Sequence, residues 1–180
     1  MLDIVTYPNP ILDKAAQKVN LPLDNETKKL IRDMHQTCEG KGIGLAAPQV
    51  GVSKHLCIIR LDRELATKKD KVLNFVMINP EVVFFSDARK YMTEGCLSFP
   101  GEYYEIDRPS NIKVRFWGIT NYPGFLAGDE PKVKEFEIAA KGWMSRVIQH
   151  EVDHLNGQLF INLGGKKLTE DSLDGREVID

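Results

Sequence analysis

Apolar and polar positions alternate along this chain with two different periods, and each period predicts an element. Over residues 24–39, Thr27, Leu30, Ile31, Met34 and Cys38 recur at helical spacing, which predicts an amphipathic helix. Asp24 or Asn25 can cap its start, and Gly40 can end it. Residues 55–61 (HLCIIRL) and 72–78 (VLNFVMI) read as buried strands, separated by a charged loop at 63–71. Residues 82–85 (VVFF) predict a further strand. Over residues 112–117 the period is two, with Ile112, Val114 and Phe116 on one face and Lys113 and Arg115 on the other. Residues 132–138 (KVKEFEI) are the expected partner. The connection 118–131 is long for a hairpin and carries Tyr122, Phe125 and Leu126, so it is expected to pack locally.

Helical spacing returns at residues 142–156, where Met144, Val147, Ile148, Val152 and Leu155 form the core stripe and Asn156-Gly157 the stop. Residues 158–161 (QLFI) predict a short strand. Residues 164–180 are polar with almost no apolar periodicity, which predicts a loosely ordered tail. Strands first and a buried helix late predict an α+β fold, with one domain over residues 1–163.

Composition narrows the class. The chain has 180 residues, 42% apolar and 28% charged, which suits one globular domain and excludes wholesale disorder. Its 26 acids and 24 bases give a formal charge of −2, a poor match for a phosphate backbone. No apolar run is long enough for a membrane-spanning helix. The start, Met1-Leu2-Asp3-Ile4, lacks the basic and apolar regions of a secretory signal. Three cysteines (Cys38, Cys57, Cys96) do not make a disulfide framework, and a reducing compartment is expected.

Chemistry concentrates in Gln149-His150-Glu151-Val152-Asp153-His154. It contains H-E-x-x-H on the second helix. His150 and His154, at i and i+4, share one face with Cβ atoms roughly 5–6 Å apart, so two imidazoles can hold one metal ion. Glu151 lies about 100° around the helix, where a water on that metal would sit. His35 and His55 read as ordinary structural histidines. A catalytic metal needs a third protein ligand and an open position. The residues after His154 offer no further histidine, and Glu170 lies in the tail. Cys96, in Glu94-Gly95-Cys96-Leu97-Ser98, is a strong ligand type for zinc or ferrous iron, while a lone cysteine is more often a buried thiol.

Three segments then coincide: Gly42-Ile43-Gly44-Leu45-Ala46-Ala47-Pro48-Gln49, Glu94-Gly95-Cys96-Leu97-Ser98 and Gln149-His150-Glu151-Val152-Asp153-His154. In this order and spacing the set resembles the peptide deformylase family, over about residues 2–163. The resemblance implies antiparallel or mixed sheets packed around a central helix that carries H-E-x-x-H. It implies removal of the formyl group from the formyl-methionine of new polypeptides, releasing formate. It makes Cys96, His150 and His154 the ligands of one divalent ion, natively Fe²⁺, which Zn²⁺, Ni²⁺ or Co²⁺ can replace. A metal-bound water would attack the formyl carbon with Glu151 as general base. The Gln49 amide and the Leu97 N–H would hold the oxyanion, and Gly44 would admit substrate close to the backbone.

Ile43, Trp143 and Arg146 are expected near the methionine pocket, Trp143 and Arg146 because they share the face of His150. Arg108 is expected to pair with Glu94, while Asp153 either orients an imidazole or caps local backbone. The implied partners are N-formylmethionyl peptides. Residues 169–180 hold five acids and one arginine, so the basic helix that some members place against the ribosome is missing. Ribosome proximity would then be transient, without direct nucleic-acid or membrane binding. A monomer in the cytoplasm is expected, or in an organelle matrix if a transit segment was removed. A zinc peptidase using H-E-x-x-H and a structural metal staple are the competing classes. The Cys96 motif and the missing downstream ligand disfavour the first; only three matching ligands, with a carboxylate beside them, disfavour the second.

Overall fold

The structure, a computed structural model, describes residues 1–61, 73–169, 172–173 and 178–179. The charged loop expected at 63–71 and Glu170 lie outside them. Helix α1 (Asn25–Cys38) starts on Asp24, whose carboxylate accepts from Thr27 N at 2.6 Å. Strands β1 (Gly44–Ala46), β2 (Leu56–Leu61), β3 (Leu73–Phe85), β6 (Asn111–Ile119) and β7 (Val133–Lys141) form an antiparallel sheet in the order β1-β2-β3-β6-β7.

Successive side chains of a strand point to opposite faces, and here both faces are covered. Leu56, Ile58, Val76 and Ile78 pack with Leu30, Ile31 and Met34 of α1. Cys57, Ile59, Met77, Ile112, Val114 and Phe116 pack with Val147, Ile148, Val152 and Leu155 of the late helix α3 (Gly142–Leu155). Burial on both sides is why β2 and the first half of β3 read as unbroken apolar runs.

A second sheet has the order β8-β5-β4-β9, from β4 (Arg89–Glu94), β5 (Tyr103–Pro109), β8 (Lys166–Leu168) and β9 (Val178–Ile179). Only β9 runs parallel to its neighbour, so this sheet is mixed. The α+β expectation holds.

Three local expectations change, and the local packing expected of the 118–131 connection is met. Residues 72–78 and 82–85 belong to one strand, because the register shift between Ile78 and Glu81 absorbs Asn79-Pro80 as a bulge. Asn79 has φ 51°, and its side chain bonds Val19 N at 2.9 Å and Val19 O at 2.8 Å. Residues 160–162 form a 3₁₀ turn instead of a strand. The connection after β6 folds into the short helix α2 (Tyr122–Leu126), with Phe125 buried and Arg32 stacked 4.3 Å from its ring. Residues 166–168 and 178–179 of the expected loose tail add strands, and Leu168 is buried.

Helix α3 lies between the two sheets. It ends at Asn156 and Gly157, which has φ 69°. The N-terminal segment binds it there through Ala16 N to Leu155 O at 2.8 Å.

Candidate metal centre

Helix α3 brings His150 and His154 to one face, ring centroids 4.9 Å apart. Cys96 arrives from the turn after β4, closed by Phe99 N to Cys96 O at 2.8 Å. Its Sγ stands 3.2 Å from His154 Nε2, and the ligand atoms of Cys96, His150 and His154 all lie within 4.8 Å of one another. Tetrahedral bonds of about 2.3 Å to sulfur and about 2.0 Å to nitrogen put neighbouring ligand atoms roughly 3.5 Å apart. The three residues therefore fit one metal ion, and all three are buried.

Electrostatics favour a cation. Burial alone would lower the His150 imidazole, but the Cys96 sulfur and the Glu94 carboxylate raise it well above its ordinary value. Burial and the nearby charges of His150 and Arg108 push His154 well below.

Glu94, at the end of β4 and fully buried, accepts from His150 Nδ1 at 2.9 Å. That bond leaves Nε2 of His150 as the donor to a metal. Arg108 on β5 grips Glu94 bidentately, Nε to Oε1 at 2.7 Å and Nη2 to Oε2 at 2.9 Å, as expected from the sequence. Burial would raise the Glu94 carboxyl. The hydrogen bonds from His150 and Arg108 outweigh that and hold it well below the carboxylate range. Arg108 also binds Asp153, whose carboxylate thus braces the arginine, a role different from the two expected for it.

Gln49 sits in the 3₁₀ turn Ala47–Val50 and is buried. Its Oε1 accepts from Ala46 N at 2.8 Å, which fixes the flip of the amide and turns Nε2 to Cys96 Sγ at 3.4 Å. Leu97 is half-buried and lines a cavity of about 210 Å³ with Cys96, Phe99 and Tyr103. Glu151 is 4% exposed and faces Gly44. A Cβ on Gly44 would lie 2.2 Å from Glu151 Oε1, so glycine here makes room for the carboxylate, a reason the sequence reading missed. Ile43 and Trp143 are half-buried beside Val147 and Ile148, on the side of the first sheet that faces α3.

Arg146 departs from its expected place. It shares the face of His150, but it is 2% exposed and its guanidinium turns into the protein. Nη1 donates to Glu94 Oε1 at 2.8 Å and to Ile106 O at 2.9 Å, and Nη2 donates to Lys90 O. The stacked β4–β5 pair offers these acceptors behind the helix, and a buried guanidinium goes where its donors are satisfied.

A family model described as polypeptide deformylase matches residues 1–167. Peptide deformylase 1 of Ralstonia nicotianae is 40% identical over 162 residues, covering 89% of this chain and 85% of that one. Peptide deformylase 1 of Bacillus cereus is 35% identical over 175 residues, covering 97% and 99%. The crystal structure of a class I type b peptide deformylase from Acinetobacter baumannii with Met-Ala-Ser bound has a TM-score of 0.75 at 33% identity, covering 91% of this chain and 98% of that one.

Fold and site together define a metal-dependent hydrolase. The chain belongs to the peptide deformylase family, enzymes that remove the N-formyl group from newly made polypeptides. No helix among the described residues is long and apolar enough to cross a membrane.

Proposed function

We propose that Cys96, His150 and His154 hold one divalent ion, natively Fe²⁺ and replaceable by Zn²⁺, Ni²⁺ or Co²⁺, and that the chain deformylates N-formylmethionyl peptides there. Bound at this site, the ion supplies Lewis acidity toward the formyl oxygen and toward water. Glu151 accepts the proton of the attacking water as oxygen bonds to the formyl carbon. It returns a proton to the nitrogen as the C–N bond breaks, so the products are formate and a free amine. The second N–H of Gln49 Nε2 and the backbone N–H of Leu97 stabilise the oxygen that gains negative charge. Ile43 and Trp143 wall the methionine side chain, and the backbone at Gly44 meets the substrate.

One thiolate and two neutral imidazoles leave a divalent site at net +1, against +2 for three imidazoles. With less acidification supplied by such a site, Glu151 would carry more of the proton transfer. The enzyme acts as a monomer in the cytoplasm, or in an organelle matrix after removal of a transit segment, with transient ribosome proximity and no nucleic-acid or membrane binding of its own.

The convergence of the Cys96–His150–His154 cluster with a buried Glu151 is the observation that carries this reading. The test is formate release from formyl-Met-Ala-Ser by protein loaded anaerobically with Fe²⁺, beside Glu151→Ala. Release that the variant abolishes while keeping its metal supports it. One ion per chain without formate refutes it. Cleavage of an unformylated peptide would move the chain to the peptidase class.

A further inference from the structure

Four N–H groups converge on the two oxygens of Glu94. Oε1 takes Arg108 Nε at 2.7 Å and Arg146 Nη1 at 2.8 Å. Oε2 takes Arg108 Nη2 and His150 Nδ1, both at 2.9 Å. The donors come from two directions. Arg108 reaches in from β5, whereas Arg146 and His150 sit one turn apart on α3. Arg146 also takes up Lys90 O of β4 and Ile106 O of β5, two carbonyls on paired strands of the second sheet. One side chain thus fastens the helix bearing two metal ligands to the strand pair whose end carries the third, and does so through the carboxylate that orients His150.

We propose that Arg146 is a positioning residue of the metal centre. It holds Glu94 in register with His150 and sets the distance between α3 and the Cys96 turn, in place of a role in the methionine pocket. The bond from His150 Nδ1 to Glu94 presents Nε2 to the metal, and a ring is held only as firmly as its acceptor. Arg108 fixes Glu94 to β5 and reaches α3 only at Asp153, on the far side of His150. Arg146 adds the direct bond from the turn of the helix before the ring, and ties that turn to both strands. No apolar side chain at this position can fasten Glu94, Lys90 O and Ile106 O, and lysine, with one ammonium, cannot span all three.

The proposal rests on the metal-centre reading above, and Co²⁺ spectroscopy tests it without relying on turnover. Wild type, Arg146→Leu and Arg146→Lys are loaded with Co²⁺. Their visible absorption, rate of Co²⁺ loss to a chelator, thermal midpoint, and kcat and KM on formyl-Met and formyl-Leu peptides are compared. Both variants are expected to show an altered Co²⁺ spectrum, with metal released about tenfold faster from the leucine variant and less from the lysine variant. The expected fall is in kcat, with the formyl-Met to formyl-Leu ratio unchanged. If Arg146→Leu does not fold, the lysine variant decides. A wild-type spectrum and release rate with only a lower thermal midpoint would make Arg146 a plain structural bolt and overturn the proposal. An unchanged spectrum with a changed substrate ratio would return it to the pocket. Wild type that binds no Co²⁺ would overturn both this proposal and the metal centre, whereas Co²⁺ binding without formate release would overturn the deformylase reading alone.

Discussion

Replacing Gly44 by alanine adds one methyl group where the structure has none to spare. Its Cβ would lie 2.2 Å from Glu151 Oε1, 2.7 Å from Cδ and 2.9 Å from Cγ. Contacts between carbon and another heavy atom settle near 3.5 Å, so the carboxylate must retreat by about 1 Å. Glu151 is 4% exposed and its backbone is fixed on α3, so the carboxylate can give way only by leaving its place in the site. A misplacement of about 1 Å at a reacting group costs on the order of 100-fold in rate, or roughly 2.7 kcal/mol of activation free energy. Overpacking adds about 1–3 kcal/mol of lost stability. The assay is kcat and KM on formyl-Met-Ala-Ser, with metal content per chain and thermal midpoint on the same samples. A kcat about 100-fold lower with metal retained is expected. On a Glu151→Asp background, one methylene shorter, the added methyl should cost under about threefold, because the two changes meet at one contact. A Gly44→Ala enzyme within about threefold of wild-type kcat would refute the reasoning. A raised KM with intact kcat would assign the glycine to substrate approach instead.

Three further outcomes are expected. Glu94 is held well below the ordinary carboxylate range. Its contribution should therefore be complete above about pH 4.3, the unfolded value, and drain away as pH falls toward the folded one. The stability difference between wild type and Glu94→Gln, by urea unfolding of chelator-treated protein, should thus be constant from pH 7 to 5 and shrink at pH 3; a constant difference at pH 3 would contradict it. Cys96→Ala should lose its metal, because only two ligands of the cluster remain, and full metal occupancy in that variant would remove Cys96 from the site. Gly157→Ala combines φ 69° with a Cβ 2.7 Å from the Lys14 carbonyl carbon. It should cost about 1–3 kcal/mol in a denaturant titration, and a neutral result would show that the segment before α1 is loosely held.

Much was decided by the sequence alone, because it depends on short-range spacing. The apolar stripe and stop signal of α3 predicted a helix over 142–156 within one residue of its observed end. The runs in β2 and the first half of β3 reported burial on both faces. His150, Glu151 and His154 are bound to one another by helical geometry, so their relation needed no tertiary information. The family patterns then tied Cys96, Gln49 and Arg108 to them across gaps that spacing cannot bridge.

Tertiary structure decided what depends on partners far away in the chain. Strands β4 and β5 escaped prediction because their polar faces (RKYMTE, YYEIDRP) carry no clean alternation, and the ladder between them supplies the order. Asn79-Pro80 looks like a strand end locally, yet pairing on either side carries the strand through it as a bulge. The final turn of the tail into β8 is settled by the open edge of β5. Arg146 is the sharpest case. Helical spacing placed it on the face of His150, but a long side chain can turn either way from that face. Its acceptors on Glu94, Ile106 and Lys90 lie 52, 40 and 56 positions away. Burial of a guanidinium is tolerable only where a carboxylate and carbonyls take up its charge and donors, and Glu94, Ile106 O and Lys90 O are in place only once the second sheet has closed behind the helix.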